Sequence, residues 1–283
     1  MNKNYQDKIA RCRTAIDQVD HILIGSGAGL STSDGLNYSG NRFKDNFPDY
    51  IKKYGLTDMY SSAFFPFETR EERWGYWSRH IKLNRYDYKP GLVYEELLGL
   101  VKGKNYFIVT TNADALFQKS GFNQERIFMV QGNYGKFQCS RACHDKLYEN
   151  EELIRHMVRE ERDCTIPTEL IPVCPICGEE MEANLRMDKF FIEDRDWHQS
   201  ADRYQTYLSE LGEQPVVLLE LGVGYNTPSI IKYPFEDITL KHKKGTLIRI
   251  NKDHPEISEQ NASKTIAFEQ DIGQVLNDLT LDD

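Results

Sequence analysis

Two short cysteine pairs define the first chemistry open to this chain. Cys139 and Cys143 are separated by three residues; thirty residues later Cys174 and Cys177 are separated by two, with Pro175 inside that pair and Gly178 after it. Thiolates at this spacing form two knuckles that hold a tetrahedral zinc ion, and four of them fill its coordination shell. No position stays open for water or substrate, so the expected metal staples its own segment and performs no reaction. Zinc is inferred from spacing, and iron also accepts four thiolates. His144 is the competing ligand, but beside a complete set of four cysteines it reads as a solvated neighbour. Cys12 and Cys164 lack partners at useful spacing and read as core or surface thiols.

A second motif offers a cradle for an anion. Gly25-Ser26-Gly27-Ala28-Gly29-Leu30-Ser31 follows the apolar run His21-Ile22-Leu23-Ile24 and should open a helix. Unpaired backbone N–H groups and the positive helix end would then face a diphosphate. The spacing is G-x-G-x-G, not G-x-G-x-x-G, and no ribose-binding acid closes a short βαβ unit about 20 residues on, which disfavours hydride transfer. The competing expectation is a tight turn whose glycines merely let a helix pack against a strand.

These motifs need elements to position them. Ile9, Cys12, Ile16 and Val19 recur at helical spacing before the first strand. Further short apolar runs follow at Tyr106 to Thr110, Arg126 to Val130, Val216 to Leu221, Thr246 to Ile250 and Thr265 to Phe268. Helical patterns separate them at Val93 to Leu100, Ala201 to Leu211 and Thr227 to Ile231, and a last amphipathic helix covers Ile272 to Leu279. Buried strands alternating with helices imply an α/β fold, a doubly wound, Rossmann-like parallel sheet that binds ligands at the carboxyl ends of its strands. Two segments break the alternation: the aromatic, charged stretch 36–89, read as a helical insertion with Trp74 to Trp77 as its own small core, and the cysteine-bearing stretch, read as a small zinc-binding module.

Composition narrows the function classes. The 283 residues are 40% hydrophobic and 28% charged, an ordinary globular balance that excludes disorder and coiled coil. The net charge of −9 disfavours nucleic acid and anionic membrane surfaces. No stretch approaches the 18 to 20 or so apolar residues of a membrane helix, and Met1 to Asp20 has no signal-peptide core, so a cytoplasmic protein is expected.

The order of several motifs resembles the sirtuins, NAD-consuming protein deacylases. Gly27-Ala28-Gly29-Leu30-Ser31 matches the family's G-A-G-I-S, Thr110-Thr111-Asn112-Ala113-Asp114 its T-Q-N-I-D, Leu185-Arg186-Met187-Asp188 its L-R-P-D, and Ile250-Asn251 its adenosine-side I-N. The departures fall where deacylation needs particular groups. The family's catalytic H-G is Gln131-Gly132, its G-I-P-D-F-R is Gly35-Leu36-Asn37-Tyr38-Ser39-Gly40, its G-T-S is Gly222-Val223-Gly224, and its acyl-lysine wall is Lys189-Phe190-Phe191-Ile192-Glu193-Asp194. Together they resemble class M sirtuins, the macrodomain-associated microbial branch known for ADP-ribosylating a lipoyl-carrying protein related to the glycine cleavage H protein.

The resemblance implies NAD as co-substrate and assigns roles. Asn112, Gln131 and Arg186 are the expected catalytic residues: Asn112 orients the nicotinamide ribose or a water, Gln131 holds ribose hydroxyls, and Arg186 acts toward phosphate or an incoming carboxylate. Gly27, Ala28, Gly29, Ser31, Thr111, Asp114, Gly222, Asn226 and Asn251 are the expected cofactor contacts, with Asn226 equally readable as a helix cap before Pro228. Tyr38, Arg42 and Phe43 fall in the family's cofactor loop, where the nicotinamide-shielding group stays unassigned. The expected domains are an NAD-binding domain at 1–35, 90–132 and 184–283, the cofactor loop and helical insertion at 36–89, and the zinc module at 133–183.

Glutamine at position 131 decides among the activities. An amide does not titrate near neutrality, so the general-base assistance deacylation needs, about 10² to 10⁴ in rate, is lost. Cleavage of the nicotinamide bond passes through an oxocarbenium-like centre and needs no base when an already ionised carboxylate is the acceptor. The expectation is therefore a protein mono-ADP-ribosyltransferase acting on a lipoylated carrier and reversed by a macrodomain hydrolase. A residual deacylase, an NAD glycohydrolase and a non-catalytic NAD or ADP-ribose sensor are the alternatives.

Overall fold

The computed structural model describes residues 3–281. Its strands are β1 (His21–Ser26), β2 (Asn105–Thr110), β3 (Ile127–Met129), β4 (Gly132–Cys139), β5 (Tyr148–Glu149), β6 (Met181–Leu185), β7 (Val216–Leu221), β8 (Gly245–Ile250) and β9 (Thr265–Phe268). Six of them form a parallel sheet in the order β3-β2-β1-β7-β8-β9, and β5-β4-β6 form an antiparallel one. Every residue of β7 is buried, and so are all but the first of β1 and β2, the pattern of a sheet covered on both faces. The chain runs outward from β1 to β3 on one side and from β7 to β9 on the other. Its direction of winding therefore switches between β1 and β7, where doubly wound sheets bind ligands.

The expected strands are present with ends shifted by at most two residues, the helix expected at Ala201 to Leu211 begins six residues earlier at Arg195, and the helix expected at Thr227 to Ile231 is absent. That stretch is a run of turns, with the Tyr233 N–H donating to the Pro228 carbonyl at 2.9 Å, and the helix is Lys232–Lys241. Pro234 lies in its first turn, where a missing N–H is harmless. The cap reading of Asn226 falls with this shift, because the residue preceding the helix is Ile231.

The chain divides into two compact units. One comprises Met1–Gly35, Pro90–Gln131 and Arg195–Asp283; the other comprises Leu36–Lys89 and Gly132–Asp194. Residues 1–2 and 282–283 of the expected NAD-binding domain lie outside the described residues. In the first unit Leu23, Phe107, Val109, Leu218, Ile231 and Phe235 belong to one buried cluster. In the second, Trp74 packs edge-on against Phe137 of β4 and donates from Nε1 to Glu180 at 3.0 Å. Tyr76 and Trp77 pack within the insertion, against residues such as Phe47, Tyr50 and His80, whereas Trp74 also covers the cysteine-bearing sheet. Among the described residues no helix is long and apolar enough to cross a membrane.

Candidate active site

At the carboxyl ends of β1 and β2, Ser26 stands opposite Thr110 and donates to its hydroxyl at 2.8 Å. Both strands stop there, so two loops leave the sheet side by side. The Asn112 N–H donates to Thr110 Oγ1 at 3.1 Å, which turns the Asn112 side chain back over the glycine loop. Its Nδ2 donates to the Gly27 carbonyl and to Ser31 Oγ, both at 3.0 Å. Ser31 Oγ donates to Asp114 Oδ2 at 2.7 Å, and Asp114 Oδ1 accepts the Leu116 N–H at 3.0 Å. Tyr94, from the helix Leu92–Val101, closes the cluster with its hydroxyl 2.9 Å from Ser31 Oγ. Asn112, Asp114, Ser31 and Tyr94 are all buried. Burial, reinforced by the Asp114 charge, holds the Tyr94 phenol well above its usual range, so it stays protonated.

The glycines of this loop serve contact between backbones. A Cβ on Gly29 would lie 2.6 Å from the Gly222 Cα, and one on Gly27 would lie 2.7 Å from the Gly222 carbonyl oxygen. Gly222 itself has φ +61, which suits glycine. The Gly27 and Gly29 N–H groups donate to the carbonyls of Leu221 and Gly222 at 3.0 and 3.1 Å. At these two positions the N–H groups expected to meet a diphosphate are already engaged, and the reading in which the glycines permit close packing accounts for both. Ala28, between them, is exposed, and the helix that follows is only Ala28–Ser33.

The residues expected on the adenosine side lie beyond the ends of β7 and β8. Asn251 Nδ2 donates to the Val223 carbonyl at 2.8 Å, while its Oδ1 accepts the N–H groups of Asp253 and His254 at 3.1 and 3.0 Å. Its side chain thus ties the loop after β8 to the loop after β7. Asn226 is exposed, and Thr111 lies at the site's edge with Oγ1 3.4 Å from the Ser26 carbonyl.

Gln131 leaves the sheet one strand further out. Val130 donates its N–H to the Thr110 carbonyl at 3.0 Å, and its own carbonyl accepts from Trp197 Nε1 at 3.2 Å, so the end of β3 is held against the end of β2. Gln131 and Asn112 therefore emerge from neighbouring strands, Gln131 half-buried and Asn112 buried. Gly132 has φ +98, and a Cβ there would strike the Asn184 carbonyl at 2.0 Å, so no other residue fits after Gln131.

Two expected groups belong to the second unit. Arg186 pairs with Glu193 and lies 4.4 Å over the Phe191 ring. Arg42 donates to the Asn37 and Leu83 carbonyls and to Asn84 Oδ1, bonds that tie its guanidinium to its own segment.

The cysteine cluster in that unit fits a structural zinc ion. Its four Sγ atoms lie within 4.8 Å of one another, with Cys139 to Cys177 at 3.6 Å and Cys143 to Cys174 at 3.7 Å. Zn–S bonds of about 2.3 Å in a tetrahedron place sulfurs about 3.8 Å apart. His144 Nδ1 is 3.1 Å from Cys143 Sγ, and its Nε2 is 3.0 Å from the Tyr148 hydroxyl, so the ring touches a ligand and a neighbour outside the cluster.

Sequence reasoning missed two features. Tyr94 occupies an apolar helical position and reads as core, although a buried phenol needs a partner. Glu220 and Arg249 fall inside the apolar runs of β7 and β8, and charges there are a visible signal of a buried pair.

These features, a doubly wound sheet with an amide- and carboxylate-bearing site at its switch point and a four-cysteine zinc module, define a Sir2-type NAD-binding protein. No family model matches the chain. A solved structure of a Sir2 enzyme superposes over 97% of this chain and 96% of its own, with a TM-score of 0.57 at 16% identity, a likeness of fold. The protein ADP-ribosyltransferase of Staphylococcus aureus (strain Mu50) is 41% identical over 265 residues, 93% of this chain and 84% of that protein. A Fusarium oxysporum protein named as a probable bifunctional ADP-ribose hydrolase/ADP-ribosyltransferase is 31% identical over 257 residues, 87% of this chain but 42% of that protein's length. The chain belongs to the sirtuin-family protein ADP-ribosyltransferases, enzymes that consume NAD.

Proposed function

We propose that this enzyme transfers ADP-ribose from NAD to a side chain of a lipoylated, glycine-cleavage-H-like carrier protein, and that a macrodomain hydrolase removes it. The observation that carries the transfer reading is Gln131 at the exit of β3, an amide that can hold hydroxyls but cannot take a proton near neutral pH. NAD brings a nicotinamide whose departure leaves an electrophilic ribose carbon. Asn112 and Gln131 hold the sugar, and Asp114 takes the carboxamide. A carboxylate acceptor is already ionised at pH 7, so attack needs no base. The carrier rests on the resemblance to class M sirtuins. The hydrolase rests on that resemblance and on the two activities joined in the name of the Fusarium relative. The reading is tested by incubating enzyme, NAD and carrier, lipoylated or bare, and weighing the carrier by mass spectrometry. A mass gain of one ADP-ribose on the lipoylated form, reversed by a macrodomain hydrolase, is expected. Loss of acyl groups from acyl-lysine peptides with no label on the carrier sinks it.

A further inference from the structure

The hydrogen bonds around Ser31 can be given directions, and the directions determine what Asn112 offers a ligand. Three groups meet Ser31 Oγ: Asn112 Nδ2 at 3.0 Å, Asp114 Oδ2 at 2.7 Å and the Tyr94 hydroxyl at 2.9 Å. The Ser31 hydroxyl donates to Asp114 and an amide nitrogen only donates, so Ser31 spends its single proton on Asp114 and accepts from Asn112. Its second lone pair then receives the Tyr94 proton, and the hydroxyl is saturated. Ser31 has no proton left for a cofactor.

Asn112 is fixed by the same count. Its two Nδ2 protons go to the Gly27 carbonyl and to Ser31 Oγ, while Oδ1 accepts no hydrogen bond among the described residues. A flip would set Oδ1 against two groups with no proton to give, the Gly27 carbonyl and the saturated Ser31 hydroxyl.

We propose that Tyr94 is a positioning residue for the NAD site: by saturating Ser31 it locks the Asn112 amide so that only its carbonyl meets the ligand. The group Asn112 recognises must then be a donor, a sugar hydroxyl of NAD. This rests on the NAD-site reading of Asn112 but not on the carrier. Without the phenol, Ser31 can turn its proton from Asp114 toward the amide, and the orientation of Asn112 then rests on the Gly27 carbonyl alone. Losing one buried hydrogen bond of this kind weakens binding about tenfold.

The test is a double-mutant cycle in the NAD dissociation constant, measured by calorimetry on folded, zinc-loaded wild type, Tyr94→Phe, Ser31→Ala and the double variant. Tyr94→Phe should weaken NAD about tenfold in the wild-type background and less than about twofold in Ser31→Ala, the coupling expected of residues acting in series. Purely structural support would lower the melting temperature and leave NAD affinity unchanged. An effect within about twofold in the wild type, or two effects that multiply, overturns the proposal. Carrier labelling by the wild type, read separately, decides the acceptor reading whichever way the cycle falls.

Discussion

Arg249 Nε and Nη2 each lie 2.9 Å from an oxygen of Glu220, a side-on pair between the adjacent strands β7 and β8, with 1% and 0% of the two side chains exposed. Lys232 Nζ lies 3.1 Å from the same carboxylate, and Glu236 is 2.8 Å from Arg249, so two anions and two cations close a neutral cluster. The cluster also reaches the site: Arg249 donates to the Glu256 carbonyl and Lys232 approaches that of His254, both in the loop after β8. Glu220→Gln leaves two buried cations facing one carboxylate. A loss of about 3 to 5 kcal/mol is expected, because removing one partner uncompensates the others. Urea unfolding measures it, and a loss below about 1 kcal/mol would mean that water reaches the cluster.

How much of this was legible in the sequence depends on the kind of signal. The parallel sheet follows from short apolar runs between helical patterns, and the zinc cluster follows from cysteine spacing, both local properties. The glycine loop was visible, but its main contact, Gly222, lies almost two hundred residues away, and no local pattern shows that two backbones touch. Thr227 to Ile231 has helical spacing, yet the helix starts at Lys232 because the chain first folds back on Pro228. Tyr94 shows why buried polar networks escape sequence reading: its partners Ser31, Asn112 and Asp114 meet only once β1 and β2 are paired.

The cysteine cluster predicts a metal content and its ligands. The purified protein should carry one zinc per chain by elemental analysis. Cys143→Ser and Cys174→Ser should lose it and unfold their unit, since structural zinc supplies folding energy directly. His144→Ala should retain it, because four sulfurs already complete the tetrahedron. If His144→Ala loses the zinc while Cys143→Ser keeps it, the histidine is the ligand.

His80 predicts an acid limit on stability. It is 1% exposed among Tyr38, Tyr76, Trp77 and Tyr134. The Tyr76 hydroxyl donates to the Met59 carbonyl at 2.7 Å, so at the 3.2 Å contact with His80 it must accept, placing the imidazole proton on Nδ1. Nε2 is buried with no partner among the described residues. Burial, with the Arg42 charge adding to it, pushes the ring down from 6.5 to about 3. Between those values the unfolded chain binds one more proton than the folded one. Stability is therefore complete above about pH 6.5 and falls by up to about 1.4 kcal/mol per unit below it. Urea midpoints at pH 7.5, 6 and 5 should trace that slope and lose most of it in His80→Phe; equal slopes would assign it to other groups.

Gln131 makes the sharpest functional prediction, because an amide and an imidazole differ in one property that kinetics can read. With no titrating side chain at the exit of β3 and an acceptor carboxylate ionised above about pH 5, nicotinamide release in the presence of the carrier should be level from pH 6 to 8.5 or so. Gln131→His introduces a base that titrates near 6.5. Its release rate should acquire a step in that region, protonation placing a cation beside the sugar where positive charge develops and slowing cleavage on the acid side. Gln131→Ala should lower the rate about tenfold, through the loss of hydrogen bonds to the sugar, without adding a step. A wild-type profile that rises with an apparent pKa near 6.5 would mean that another group serves as base and that the missing imidazole does not set the activity.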